Sequence, residues 1–253
     1  MGWIDTHCHL NDDRYNEDIE LIMDKAKQAG VTQMIVIGYD LPSSEKAVEI
    51  SHKYDNVFAA VGIHPSDANK LDVYTFEKLA KLVNDDKVVA IGEIGLDYYW
   101  EDNPDHEIQK QAFIKQLQLA ESVNKPVVIH MRDATKDTFD ILKHSKPTGV
   151  MHCYSGSYEM AQEFIKLGLY ISLAGPVTFK NAVAPKEVAT KIPLDYLLIE
   201  TDCPYLTPHP FRGKRNDPSL VTYVAKEIAT LRNMSEEDLK TALERNTKRL
   251  FNV

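Results

Sequence analysis

Cysteine is scarce in this chain of 253 residues: Cys8, Cys153 and Cys203 are the only three, and no two lie close in sequence. An odd count without tight spacing excludes a disulfide framework and fits a reducing compartment, so the expected location is cytoplasmic. No segment approaches the ~18 consecutive apolar residues of a membrane span. The opening MGWIDTHCHL carries neither a basic leader nor a long apolar run. The expectation is therefore a protein neither secreted nor spanning a membrane. Basic excess is lacking too. Lys and Arg number 29 against 38 Asp and Glu, a formal net charge of -9, so no global field holds a polyanion and any phosphate site must be local. There is no G-x-G-x-x-G turn after any apolar run, which leaves a dinucleotide site without support. Repeats, low-complexity tracts and Pro/Gly-rich linkers are missing as well, and nothing divides the chain.

What is present is alternation. Short apolar runs rich in β-branched residues fall at Gly2–Asp5, Gln33–Ile37, Val57–Ile63, Val88–Glu93, Val127–His130, Gly149–His152, Leu169–Leu173 and Tyr196–Glu200. Helical periodicity lies between them, as where Phe113, Leu117 and Ala120 share a face in a segment that Asn103-Pro104 opens as cap and first-turn pair. Asp217-Pro218 marks another start, and Ser235 with Asp238 resembles a capping box ahead of Leu239, Ala242 and Leu243. Eight β-then-α units at this length are the count of a closed (β/α)8 TIM barrel, an α/β fold, read as one domain over residues 1–253. An open doubly wound sheet would ordinarily need fewer strands.

In such a barrel the chemistry gathers at the C-terminal ends of the strands. Run one ends in Asp5-Thr6-His7-Cys8-His9, where the i, i+2 spacing turns His7 and His9 to one side and Cys8 to the other. Glu93, His130, His152 and Asp202 stand at or just past the ends of runs four, five, six and eight. A single histidine at a strand end is more often a hydrogen-bonded structural residue. Six imidazoles and carboxylates in one mouth would crowd chargeable groups without compensation unless cations sat among them. The mixed nitrogen and oxygen set suits Zn, Mn, Fe or Ni, and suits Mg less well. Six ligands exceed one open catalytic site, so two divalent ions are expected, with Glu93 as the bridge. His7, His9 and Asp202 then join Glu93 on one ion, and His130 and His152 join it on the other. A water between the ions would lose its proton near neutral pH, with Asp202 placed to take up a proton.

The ordered motifs Asp5-Thr6-His7-Cys8-His9, Gly62-Ile63-His64-Pro65, Gly92-Glu93-Ile94-Gly95-Leu96-Asp97-Tyr98, His130 with Arg132, His152-Cys153-Tyr154-Ser155-Gly156, Glu200-Thr201-Asp202-Cys203-Pro204-Tyr205-Leu206 and Arg212-Gly213-Lys214-Arg215-Asn216 resemble the TatD-type metal-dependent deoxyribonucleases, a family of the metal-dependent hydrolase barrels. The resemblance runs nearly end to end. It implies the same six ligands and a hydrolase of DNA phosphodiester bonds, often acting from an end. It also implies a role for His64, either contacting the phosphate or protonating the leaving oxygen, against a structural histidine before a Pro-fixed turn. Arg132 offers a fork of hydrogen bonds to phosphate, or a rim salt bridge. Arg212, Lys214 and Arg215 offer a local basic patch, or a solvated loop. Tyr98, Tyr99 and Trp100 offer stacking surfaces for bases, or packing for their loop. The three cysteines read as inert buried thiols.

Two other readings compete. An amidohydrolase, or a small phosphoester or ester hydrolase, can occupy the same barrel, because fold and metal pair do not dictate substrate. Many relatives in that superfamily bridge their metals with a modified lysine, and Glu93 argues for the nuclease branch. A metal-binding scaffold without catalysis is the third reading, and an open position in a complete ligand set argues against it. Net acidity favours short, single-stranded or terminal DNA over duplex interiors. The sequence points to no protein partner.

Overall fold

The computed structural model describes residues 2–253. Among them, eight parallel strands run in the order of the sequence: β1 Trp3–Cys8, β2 Val31–Ile37, β3 Val57–Val61, β4 Val88–Asp97, β5 Val127–Arg132, β6 Gly149–Met151, β7 Leu169–Leu173 and β8 Leu197–Ile199. Each strand is buried on both sides, which is why the runs read as nearly continuous apolar segments rather than alternating ones. Alternation instead sorts side chains between two apolar layers. Ile35, Ile37, Ala60, Ala90, Val128, Val150, Tyr170 and Leu198 form the inner cluster. Met34, Val36, Ala59, Val61, Ile91, Val127, Ile129, Ile171 and Leu197 belong to the larger cluster that the helices cover.

The helices are α1 Ile19–Gln28, α2 Leu41–Lys53, α3 Val73–Leu82, α4 His106–Val123, α5 Thr135–Ser145, α6 Tyr158–Lys166, α7 Ala184–Lys191, α8 Val221–Arg232 and α9 Glu236–Phe251. Leu250 and Phe251 at the end of α9 pack against the inner cluster. The architecture is the single-domain TIM barrel that the alternation predicts. None of the described helices is long and apolar enough to cross a membrane.

Element ends differ from the sequence expectation in places with a physical cause. The helix assigned to start at Asn103-Pro104 begins at His106, capped by Asp105, whose side chain accepts from the Glu107 amide. Asn103 is otherwise engaged, donating to the Asp97 carbonyl at 3.1 Å. Asp217-Pro218 opens a short 3-10 helix, Pro218–Leu220, that leads into α8. Ser235 caps α9, accepting from the Asp238 amide, while its hydroxyl donates to the Asp238 carboxylate at 2.6 Å. β4 runs four residues past Glu93 because Ile94, Gly95, Leu96 and Asp97 pair with Ile129, His130, Met131 and Arg132 of β5. Gly95 is needed there. With φ at 145°, a Cβ on this residue would lie 2.0 Å from the His130 carbonyl oxygen.

Candidate metal centre

The barrel closes between β8 and β1 by a seam of individual hydrogen bonds. Thr6 Oγ1 donates to the Ile199 carbonyl at 2.9 Å, the Asp202 amide to the His7 carbonyl at 2.9 Å, and the His9 amide to the Cys203 carbonyl at 2.8 Å. Asp5, fully buried, accepts from the Thr201 amide and hydroxyl at 2.9 and 2.5 Å. The seam carries three of the six expected ligands. His7 Nε2 and His9 Nε2 stand 3.2 Å apart, and Asp202 Oδ1 is 3.6 and 3.3 Å from them. Asp202 adopts a left-handed backbone, φ 55°, a region that Asp tolerates better than most residues.

Glu93 faces the seam from β4 with its two oxygens turned to different rings. Oε2 lies 3.5 Å from His7 Nε2 and 3.9 Å from His9 Nε2. Oε1 lies 2.8 Å from His130 Nδ1, 2.7 Å from His152 Nε2 and 3.5 Å from His64 Nε2. All six expected ligands therefore meet, and His64 joins them. Donor atoms within 4.8 Å of one another form the groups His7, Glu93, His152 and His7, His9, Asp202, with His64, Asp97, His130 alongside.

Behind the rings, the far nitrogens are held. His9 Nδ1 is 3.0 Å from the Ile37 carbonyl, His130 Nε2 3.0 Å from Asp97 Oδ2, and His152 Nδ1 3.3 Å from Glu200 Oε1. With the ring neutral, a proton held on the far nitrogen leaves the inward nitrogen a lone pair for a cation. His7 Nδ1 has no such partner among the described residues. Asp97 and Glu200 back the rings of the cluster, and the sequence reading gave them no role. Their signal was faint but present: Asp97 is i+4 from Glu93 on the same strand face, and Glu200 stands two before Asp202.

Electrostatics within the cluster are strongly mutual. Burial alone would raise the Glu93 pKa, but His152, His64 and the hydrogen bonds from His130 and His152 hold it well below the usual carboxylate range. Burial opposes charge on His152, yet Glu93 and Glu200 outweigh it and raise its pKa well above the ordinary value. Burial, then the neighbouring His130, pushes His64 down to about 3. Ser66 donates its amide to His64 Nδ1 at 3.1 Å, so the neutral ring carries its hydrogen on Nε2, facing Glu93.

The remaining expected residues divide. The Arg132 side chain forms no hydrogen bond or ion pair with any described residue; its guanidinium lies over the Tyr99 ring at 3.8 Å and near Trp100 at 5.3 Å. The rim salt bridge is therefore not found among the described residues. Arg212 stacks on Phe179 at 4.0 Å and lines a separate cleft of about 470 Å³ with Lys180 and His209. Lys214 lies 5.8 Å over Phe211. Arg215 is committed elsewhere: it pairs with Asp18 and lies over Tyr15 at 4.8 Å, clamping its loop to the start of α1. Tyr98 packs, stacked on His106 at 3.6 Å with its hydroxyl on Asp137. Cys8 and Cys203 are fully buried, and burial raises the Cys8 and Cys153 thiols well above their usual pKa. The cluster opens into a cavity of about 440 Å³ that Tyr39, Trp100, Arg132 and Tyr205 also line.

Inward-facing imidazole nitrogens and anionic oxygens, gathered without a cationic side chain among them, are the donor chemistry of a divalent transition-metal centre. Known proteins agree with that fit. The model of the family described as TatD related DNase matches residues 4–252. The chain belongs to the TatD family. It is 49% identical over 252 residues to the uncharacterized metal-dependent hydrolase YabD of Bacillus subtilis (strain 168), with 98% of each chain covered. It is 39% identical over 260 residues to the uncharacterized metal-dependent hydrolase YcfH of Escherichia coli (strain K12), covering 100% of this chain and 97% of that one. The crystal structure of YjjV, a TatD homolog from Escherichia coli K12, matches with a TM-score of 0.94 at 34% identity, over 99% and 98% of the two chains. This TatD-family protein is a metal-dependent hydrolase, and its barrel is the barrel of the family.

Proposed function

We propose that the chain is a deoxyribonuclease that hydrolyses phosphodiester bonds of short, single-stranded or terminal DNA with two divalent cations, working from a strand end. The observation that carries this reading is the division of Glu93, one oxygen toward His7 and His9 and the other toward His130 and His152. A carboxylate so divided suits a bridge between two ions. The match to the TatD related DNases supports DNA as the substrate. Three free cysteines suit the reducing cytoplasm.

In this reading His7, His9 and Asp202 would hold one cation, His130 and His152 the other, and Glu93 would serve both. Bound there, Zn, Mn, Mg, Fe or Ni would supply Lewis acidity to the phosphate and to the attacking water. Asp202, at the mouth with 14% of its side chain exposed, accepts the proton of that water. A neutral His64 with its hydrogen on Nε2 is a donor to a phosphate oxygen rather than an acid for the leaving group, since it has no second proton to give. Arg132, free of other partners and exposed, forks onto the phosphate. Arg212 and Lys214 attract the strand beyond it.

The test is hydrolysis of a single-stranded oligonucleotide by metal-stripped protein with Mg²⁺, Mn²⁺ or Zn²⁺ returned. Added metal is expected to restore cleavage, with the product ladder reporting the end attacked. Arg132→Ala should lose about 10- to 150-fold in kcat/KM, the worth of one charge-assisted contact. Glu93→Ala should lose far more, and equal losses would overturn the assignment of roles. If DNA survives every metal while a small phosphoester, ester or amide is cleaved, the substrate passes to the amidohydrolase reading.

A further inference from the structure

The turn after β4 carries two large aromatic rings into solvent beside the metal centre. Tyr99 is 50% exposed and Trp100 57% exposed, whereas Trp3, the other of the two tryptophans, is 6% exposed. Hydrogen bonds fix this turn. Asp97 accepts from the Tyr99 amide at 3.0 Å through Oδ1 while its Oδ2 meets His130. Asn103 and Gln109 both donate to the Asp97 carbonyl, and Tyr98 is clamped between His106 and Asp137. The Asp97 carboxylate thus ties the start of the aromatic turn to His130. Trp100 lines the same cavity as Glu93, His130 and Asp202, with Tyr205, 48% exposed, on its wall.

Resting on the phosphodiester reading above, we infer that Trp100, backed by Tyr99, is a stacking platform for the nucleobase next to the phosphate that Arg132 holds. The chemistry follows from the pairing. Arg132 shares the aromatic turn and keeps its N–H donors free, so a phosphate on Arg132 brings the attached nucleoside beside the exposed indole. A flat base fills that face, whereas an amide or small ester leaves it wet. Exposed Glu101 and Asp102 follow directly and oppose a further phosphate on that side. The platform therefore takes the base of a terminal nucleotide, and the strand leaves the other way.

Because Trp3 is buried, Trp100 reports binding by its own fluorescence. Metal-free protein is titrated with the tetranucleotide d(A)4 and with the same chain carrying abasic residues, alongside Trp100→Ala and Trp100→Phe. The intact tetranucleotide is expected to quench the emission and the abasic one to leave it unchanged, with no quench in either variant. In hydrolysis assays with metal, Trp100→Ala should raise KM about 5- to 150-fold, and Trp100→Phe should recover most of that loss. Equal quenching by both chains, or a KM indifferent to Trp100→Ala, would overturn the platform. Cleavage of DNA without base-dependent quenching sinks the platform and leaves the nuclease reading standing. Base-dependent quenching with no cleavage under any metal does the reverse.

Discussion

Which nitrogen of an imidazole faces a cation is decided behind the ring. Asp97 on His130 Nε2 directs Nδ1 inward, while Glu200 on His152 Nδ1 directs Nε2 inward, so two neighbouring histidines turn opposite atoms toward Glu93. Asp97→Asn keeps the shape but removes the negative charge that makes the ring a strong donor. Metal affinity should fall about 10- to 100-fold, read by competition with a chelator, while the metal-free protein melts as before. Unchanged affinity would remove Asp97 from the centre. The raised pKa of His152 has a sign that can be worked out. Without metal the ring carries a proton at neutral pH, held by Glu93 and Glu200 against the burial that opposes it. Metal needs that ring neutral, so binding releases the proton, and affinity rises with pH until the raised pKa is passed. Calorimetry at pH 7 in buffers of different ionisation enthalpy should detect proton release, and its absence would show that His152 is not a ligand.

At the scale of elements, α4 sets the positions of two strand ends. Gln109 accepts from the Asp97 amide at 2.9 Å and donates to its carbonyl at 3.0 Å; Gln116 does the same for Ile63 at 2.8 and 3.0 Å. Each amide side chain stands in for a missing strand neighbour, one beside the His130 anchor and one before His64. Gln116→Leu orphans the buried N–H and C=O of Ile63, and Gln109→Leu orphans the Asp97 N–H while Asn103 keeps its carbonyl; either costs about 1–3 kcal/mol, which for a barrel of this size lowers Tm by roughly 2–10 °C. Only Gln109→Leu should also weaken metal binding, and similar metal affinities in the two variants would refute the division. The strands themselves were legible because buried strands read as apolar runs, and the meeting of the six candidate ligands was legible because barrel chemistry sits at strand ends. The partners behind them were not. Asp97 and His130 stand 33 residues apart, and Glu200 and His152 stand 48 apart, so only closure of the barrel brings them together. The continuation of β4 was equally hidden, since the apolar run reads as ending at Glu93 until Gly95 is seen against His130.

For the whole molecule, the proposed action on DNA requires a chain of net charge -9 to concentrate its cations. Several cations outside the rim are neutralised by ion pairs: Lys46 with Asp13, Lys53 with Glu20, Lys110 with Asp137, Arg215 with Asp18, Arg245 with Asp195. Arg132, Arg212 and Lys214 lie instead over aromatic rings on the strand-end face, without an ion pair among the described residues. A strand bound there touches about two or three phosphates, so the logarithm of affinity for single-stranded DNA should fall against the logarithm of salt with a slope of about -1.4 to -2.1. Arg132→Ala should make that slope shallower by about 0.7, whereas Arg215→Ala, already spent on Asp18, should leave it alone. A wild-type slope steeper than about -4 would mean a phosphate track far longer than these residues provide, and the acidic surface would then have to be crossed by a strand that the charge distribution repels.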